Sequence, residues 1–252
     1  MEYIEKNEKM NQAIIYATNH HRGQLRKGSV KPAIIHSLET MMILDHMEAD
    51  MDLLIAGVLH DTVEDTNATI AEIQELFGVR IAKLVGEHTE DKTKSWQERK
   101  ANAIEQLKTA STEVKMLILA DKISNMRDIL ADYHRIGDRV WNHFSGNKEK
   151  QAWYYHGILE QLYDLRYNEN TELYYWEMVE IFQELFVVFY LDRKNKRIYR
   201  YCADKRCDFL QQGDYCWQPL HDFNAAIFAE MEEIERVLAE QTEDIWDCIE
   251  TQ

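Results

Sequence analysis

Three observations predict a mainly α-helical chain: only nine Gly and two Pro interrupt 252 residues, 45% of the residues are apolar, and these recur at three- and four-residue spacing over most of the length. One stretch near the C-terminus departs from that pattern. FVVFYLDRKNKRIYRYC has β-branched and aromatic runs on either side of a polar turn and reads as a β-hairpin. The length suits one all-α helical bundle over residues 1–165 and a C-terminal α+β extension over 166–252.

Residues 1–21 place Ile4, Ala13, Ile14 and Ala17 at helical spacing and run into a loop from Arg22 to Pro32. Pro32 suits entry to a second helix, with His36 in its first turn and Leu38, Met41, Met42 and Ile43 as its apolar face. Residues 52–65, DLLIAGVLHDTVED, read as one helix. Asn67 and Thr69 are cap candidates for the next, which ends at Phe77-Gly78. Helices follow over 79–90 and 97–109. In EVKMLILADKISNMRDIL, Val114, Leu117, Ile118, Asp121, Asn125 and Asp128 recur at three- and four-residue intervals, dividing that helix into an apolar and a polar half. A closing helix spans 149–165, WEMVEIFQEL forms another, the hairpin turns at Arg193 to Lys196, and an acidic amphipathic helix is expected from about 222 to 240. There is no internal repeat or low-complexity segment.

The net charge of −16 repels polyanions, so long DNA or RNA is excluded as a partner. Against that background, Arg22, Arg26, Lys27 and Lys31 form an acid-free basic stretch, either a phosphate-holding loop or a solvated one. The first ten residues, MEYIEKNEKM, are polar, and no apolar run approaches the roughly 18 residues that span a bilayer. A soluble cytoplasmic protein without a membrane partner is expected. Cys202, Cys207, Cys216 and Cys248 are too sparse for a disulfide scaffold and fit a reducing compartment.

The chemistry-bearing residues gather around HDTVED. A lone His in an apolar helix is usually a packed core residue, but His60 is followed by Asp61, and Glu64 and Asp65 lie three to four residues on. Buried carboxylates beside Leu53, Ala56, Val58 and Leu59 need a cation or a full hydrogen-bond network, and a divalent metal supplies the first. His36 and Asp121, each at an apolar helix face, can add ligands from two further helices. Two imidazoles and two carboxylates suit Mn, Fe or Zn better than Ca. The alternative left open by spacing is an ordinary capped, solvated helix end.

The segments HRGQLRKG, His36, LLIAGVLHDTVEDT, ELFG, EDKTKSWQERK and LADKISNMRD, in that order from about residue 8 to 160, resemble the hydrolase domain of RelA/SpoT enzymes. They are most similar to the small stand-alone alarmone hydrolases, the metazoan SpoT homologues among them. The resemblance implies an all-α HD-domain fold and a Mn-dependent hydrolysis of the 3′-pyrophosphate of guanosine tetra- or pentaphosphate, yielding GDP or GTP and pyrophosphate. It implies His36, His60, Asp61 and Asp121 as metal ligands and Glu64 and Asp65 as the catalytic pair. It also implies Arg26, Lys27, Lys122, Asn125 and Arg127 as contacts to the nucleotide.

The chain departs from that family in reading PAIIHS, so that Ala33 stands for a Tyr and Ser37 for a Pro, and the loop from Arg26 to His36 is one residue longer. Both changes border the nucleotide pocket, which leaves an adenine alarmone or NADPH open as substrate beside the guanosine nucleotides. A non-catalytic nucleotide-sensing or partner-binding module is the remaining alternative; intact Glu64 and Asp65 speak against it. Residues 166–252 do not resemble the synthetase domain of the long RelA/SpoT enzymes, so alarmone synthesis is not expected. Cys202, Cys207, Cys216 and His221 have a C-x4-C-x8-C-x4-H spacing that fits either packed hairpin thiols or a zinc site. The basic stretch Arg193 to Arg206 is either a solvated hairpin face or a surface docking the acidic tail of its own or a second subunit in a homo-oligomer.

Overall fold

The computed structural model describes residues 2–211, 217–220, 228 and 231–234. The chain divides into two compact units, Met1–Ser145 with His156–Ile181, and Gly146–Tyr155 with Phe182–Gln252.

The first unit is helical: α1 (Glu2–His20), α2 (Ile34–His46), α3 (Met51–Leu59), α4 (Thr62–Asp65), α5 (Ile70–Phe77), α6 (Val79–His88), α7 (Trp96–Leu107) and α8 (Thr112–Ile136). It also includes the C-terminal part of α9 (Lys148–Gln161) and the N-terminal part of α10 (Glu172–Phe186). Every residue of α3 from Leu53 to Leu59 is buried. A helix apolar on all sides belongs at the centre of a bundle, and α3 packs on α1, α2, α6 and α8. Gly57 sets how closely α2 approaches it: a Cβ there would lie 2.7 Å from Leu44 Cδ1 and 3.3 Å from the Met41 Cα.

Local sequence places the helix starts. Asp50 caps α3 by accepting from Leu53 N–H, Ser111 caps α8 through Val114 N–H, and Thr69/Glu72 and Ser95/Glu98 form reciprocal capping boxes on α5 and α7. Of the two cap candidates before α5, Thr69 is the cap.

Two helices differ from their sequence expectation. The single helix expected over 52–65 breaks at His60 and Asp61, between α3 and α4. The His60 ring N–H bonds the Gly57 carbonyl at 2.8 Å, the acceptor that the Asp61 N–H would use in a continued α-helix. The closing helix ends at Gln161 rather than 165, and a 3₁₀ turn follows over Tyr163–Tyr167.

The second unit carries a five-stranded antiparallel sheet of order β4-β3-β2-β1-β5. Its strands are β1 (Val187–Asp192), β2 (Arg197–Cys202), β3 (Cys207–Gln211), β4 (Gln218–Pro219) and β5 (Glu232–Ile234). The expected hairpin is β1 and β2, in register from Val187 opposite Cys202 to Asp192 opposite Arg197. Alternation puts Phe189, Leu191 and Ile198 in one apolar cluster and Tyr199, Cys207 and Phe228 in another.

The acidic helix expected from about 222 to 240 needs correcting where it is described. Glu232–Ile234 pairs with the open edge of β1, placing Ile234 opposite Phe189 and against its cluster; apart from Phe228 and Met231, the rest of that stretch lies outside the described residues. The basic stretch is largely paired within its own unit, Arg200 with Asp208 at 2.7 Å, Lys205 with Glu149 at 2.8 Å, and Arg206 with Asp204. Cys202 and Cys207 are buried free thiols, both pushed up to about 12 by burial. Cys216, His221 and Cys248 lie outside the described residues.

Among the described residues no helix is long and apolar enough to cross a membrane.

Candidate metal centre

Three helices deliver four groups to one point. His36 comes from the first turn of α2, His60 and Asp61 from the break after α3, and Asp121 from the middle of α8. His36 Nε2 lies 3.1 Å from His60 Nε2, 3.0 Å from Asp121 Oδ1 and 3.5 Å from Asp61 Oδ2. His60 Nε2 lies 3.2 Å from Asp61 Oδ1 and 3.8 Å from Asp121 Oδ1.

Both rings are aimed by their far nitrogens. His36 Nδ1–H donates to Ser124 Oγ at 2.8 Å, and the Ser124 hydroxyl donates to Glu39 at 3.0 Å. His60 Nδ1–H donates to the Gly57 carbonyl. Both Nε2 atoms are thereby left facing the carboxylates, the arrangement of metal-ligating imidazoles.

The donor set fits a divalent ion. Donors about 2.1 Å from a shared ion stand about 3.0–3.4 Å apart at octahedral or tetrahedral angles, close to the spacings above. Asp61 and Asp121 are both held below the ordinary carboxylate range: burial opposes this, but His60 outweighs it for Asp61, and Lys122, His36 and His88 for Asp121. Burial likewise works against a charge on His60, yet Asp61 and Asp121 push it up to about 9. His36 is lowered by burial and by the neighbouring His60, against the pull of Asp121. Four polar groups packed this tightly share protons in the absence of a cation.

Glu64 and Asp65, on the short helix α4, are in different surroundings. Glu64 is mostly buried, its side chain 17% exposed, and Oε2 accepts from Glu90 N–H at 3.3 Å. Burial, Asp61 and Glu90 raise its pKa. Asp65 is 47% exposed and ion-paired with Lys92 at 2.6 Å. The single face expected for His60, Asp61, Glu64 and Asp65 is therefore split by the helix break. Glu90 is itself held by Lys100 at 2.7 Å and Arg99 at 2.9 Å, which puts two cations close to Glu64.

Of the residues expected to contact nucleotide, three lie beside this centre and a fourth, Lys27, follows one of them in its loop. Lys122 Nζ bonds Asp121 Oδ2 at 2.6 Å, and Asn125 Nδ2 bonds Asp121 Oδ1 at 2.5 Å. Arg26 donates to Asn125 at 2.9 Å and to Asp128 at 3.0 Å, and Lys27 is exposed on the same loop. Arg127 is turned elsewhere. It forks onto Glu177 at 2.6 and 2.8 Å and reaches Glu39 at 3.4 Å, behind His36.

The sequence reading missed Glu39, Ser124, Glu90, Arg99 and His88. Glu39 lies three residues after His36 and Ser124 three after Asp121, a spacing that marks one helix face. His88 follows Ile81, Leu84 and Val85 along the buried stripe of α6, where a polar residue is itself a signal.

An HD-domain family model matches residues 13–150. The chain is 40% identical over 121 residues to guanosine-3′,5′-bis(diphosphate) 3′-pyrophosphohydrolase MESH1 of Mus musculus, covering 47% of this chain and 68% of that protein. Among solved structures, lmo0812 from Listeria monocytogenes EGD-e superposes with a TM-score of 0.53 at 36% identity, over 60% of this chain and 92% of that one. A metazoan orthologue of SpoT that hydrolyses ppGpp and plays a role in starvation responses superposes with a TM-score of 0.58 at 30% identity, over 70% and 94%.

Proposed function

The chain belongs to the HD-domain family, and from that premise we propose that it is a divalent-metal-dependent hydrolase removing the 3′-pyrophosphate of guanosine tetra- or pentaphosphate. The observation that carries the reading is the convergence of His36, His60, Asp61 and Asp121, with both Nε2 atoms turned inward, next to a carboxyl whose pKa is raised. These four residues hold the ion in this reading, and manganese is the metal we assign. When bound, it supplies Lewis acidity toward water and phosphate.

The chain's own groups do the rest. Glu64, with its pKa raised toward neutrality, accepts a proton from the attacking water. Water oxygen bonds to the phosphorus carried on the ribose 3′ oxygen, the bond from that oxygen to phosphorus breaks, and the proton taken up by Glu64 goes to the departing 3′ oxygen, giving a 3′ hydroxyl and free pyrophosphate. Asp65, already paired with Lys92, orients the water from the solvent side. Arg26, Lys27 and Lys122, with Asn125, neutralise and position the phosphates, which offsets the repulsion of a chain with net charge −16. The partner is thus a small phosphorylated nucleotide, and the setting we assign is the cytoplasm.

The test is purified protein with Mn and a panel of guanosine and adenosine 3′-pyrophosphate nucleotides and NADPH, with products separated by anion exchange and Asp121→Ala as control. Pyrophosphate release that the control lacks supports the hydrolase and names its base. Binding without turnover of any member would make the protein a nucleotide sensor instead.

A further inference from the structure

His88 ends α6 with its ring edge-on to His60, centroids 4.8 Å apart at 84°, and its Nε2 is 3.0 Å from Asp121 Oδ2. The function proposed above does not use it. With His36 and His60 it makes three buried imidazoles around one carboxylate, and its pattern is the inverse of theirs. Their Nδ1 atoms are bonded and their Nε2 atoms face inward; His88 commits Nε2 to Asp121, and its Nδ1 is buried with no hydrogen-bond partner. The Nδ1–H of His36 and of His60 is fixed by an acceptor, which frees Nε2 for an ion, whereas Nδ1 of His88 meets no acceptor, so its neutral ring carries the hydrogen on Nε2, donates it to Asp121 and has no lone pair there to offer.

Building on the reading that His36, His60, Asp61 and Asp121 hold the metal, we propose that His88 is a positioning residue that fixes Asp121 as a one-oxygen ligand. His88 and Lys122 Nζ occupy Oδ2 at 3.0 and 2.6 Å. Oδ1, which also accepts from Asn125 Nδ2 at 2.5 Å, is the atom facing His36 Nε2 and His60 Nε2, at 3.0 and 3.8 Å. Without His88, Oδ2 keeps only Lys122, a flexible donor on the neighbouring residue, and Oδ1 keeps Asn125, so the carboxylate loses its one donor from α6 and is held less firmly against turning Oδ2 inward. Leaving Nδ1 buried and unbonded costs stability, whereas an apolar residue on the Ile81, Leu84, Val85 stripe would not; holding Asp121 gives that cost a function.

The experiment is a Mn²⁺ titration of the full chain, followed by the electron paramagnetic resonance of free Mn²⁺, on wild type, His88→Gln, His88→Asn and Asp121→Ala. A Gln amide nitrogen reaches the place of His Nε2, and an Asn amide reaches only that of Nδ1. His88→Asn is expected to weaken Mn²⁺ about 10–100-fold and His88→Gln to stay within about threefold of wild type, with one ion per chain throughout. Matching melting temperatures of the metal-free variants establish that the fold is unchanged. Equal affinity of the Asn and Gln variants would overturn the proposal, as would two ions on wild type and one on His88→Asn, which would make His88 a ligand of a second ion. Undiminished binding by Asp121→Ala would instead remove the metal reading itself, whereas loss there with none in His88→Asn removes only the role of His88.

Discussion

The Nε2 atoms of His36 and His60 face each other at 3.1 Å, a distance that two lone pairs do not tolerate, so one hydrogen lies between them. Asp61 and Asp121 hold it there, with His60 pushed up to about 9. A ligating imidazole must be neutral at its donor atom. Because the folded pKa is raised, the metal-free site is protonated below about pH 9, and an incoming ion must displace that proton. Mn²⁺ affinity is expected to rise from pH 6.5 to 9. Calorimetry at pH 7 in two buffers of different ionisation enthalpy should show about one proton released per ion; a buffer-independent heat would contradict the shared hydrogen.

Glu64 and Asp65 are neighbours in sequence but not in environment, and their variants should differ accordingly. Glu64→Gln keeps an oxygen for Glu90 N–H and removes the base, so kcat is expected to fall by about 10²–10⁴-fold with Mn²⁺ affinity and melting temperature unchanged. Asp65→Asn, half-exposed and paired with Lys92, should lose less. Steady-state kinetics of the two variants side by side would refute the assignment if Asp65→Asn were the more damaged.

Arg127 shows where family resemblance and geometry part. The LADKISNMRD motif assigns it to the nucleotide, yet its guanidinium is forked on Glu177 and touches Glu39, which accepts from Ser124, which accepts from His36. Arg127→Ala is expected to cost about 1 kcal/mol of stability, reduced for its exposure, and to leave nucleotide KM within about twofold, whereas Arg26→Ala raises KM. Equal KM effects in both would return Arg127 to the pocket.

What could be read in advance follows from the range of the interactions. The helices, the β1–β2 hairpin and the positions of His36, His60, Asp61 and Asp121 follow from local periodicity and a local motif. The break at His60 was not readable, because no Gly or Pro marks it; the cause is a side chain taking the Gly57 carbonyl. β3, β4 and β5 depend on strand pairing, which short polar-alternating segments specify weakly on their own. His88 and the Glu90–Arg99–Lys100 cluster meet partners on other elements, and only packing brings them together.

Asp128 makes part of the acid stability. Burial raises its pKa, but the Lys31 hydrogen bond and the Arg26 charge outweigh that and hold it below the ordinary value. A depressed carboxyl stabilises the fold above its unfolded pKa, and that contribution fades as pH falls through the folded one. Melting temperature followed from about pH 5 to pH 3 should therefore fall less steeply in Asp128→Asn than in wild type. Parallel slopes would mean that the Arg26 and Lys31 pairs contribute nothing in solution.

Gly57 ties the packing of the bundle to the metal centre. It accepts from His60 through its carbonyl, and its missing side chain lets α2 approach α3 closely enough for His36 to reach His60. Alanine there gains about 1 kcal/mol of helix propensity. It also meets Cδ1 of the fully buried Leu44 at 2.7 Å and the Met41 backbone at 3.3 Å, an overpacking that costs about 1–3 kcal/mol. Relief comes from α2 moving outward, which carries His36 away from His60. Gly57→Ala should accordingly lower the metal-free melting temperature modestly and weaken Mn²⁺ more than that loss of stability would explain. A variant that melts lower but binds Mn²⁺ as wild type does would show that the helix spacing is not what sets the distance between the two imidazoles.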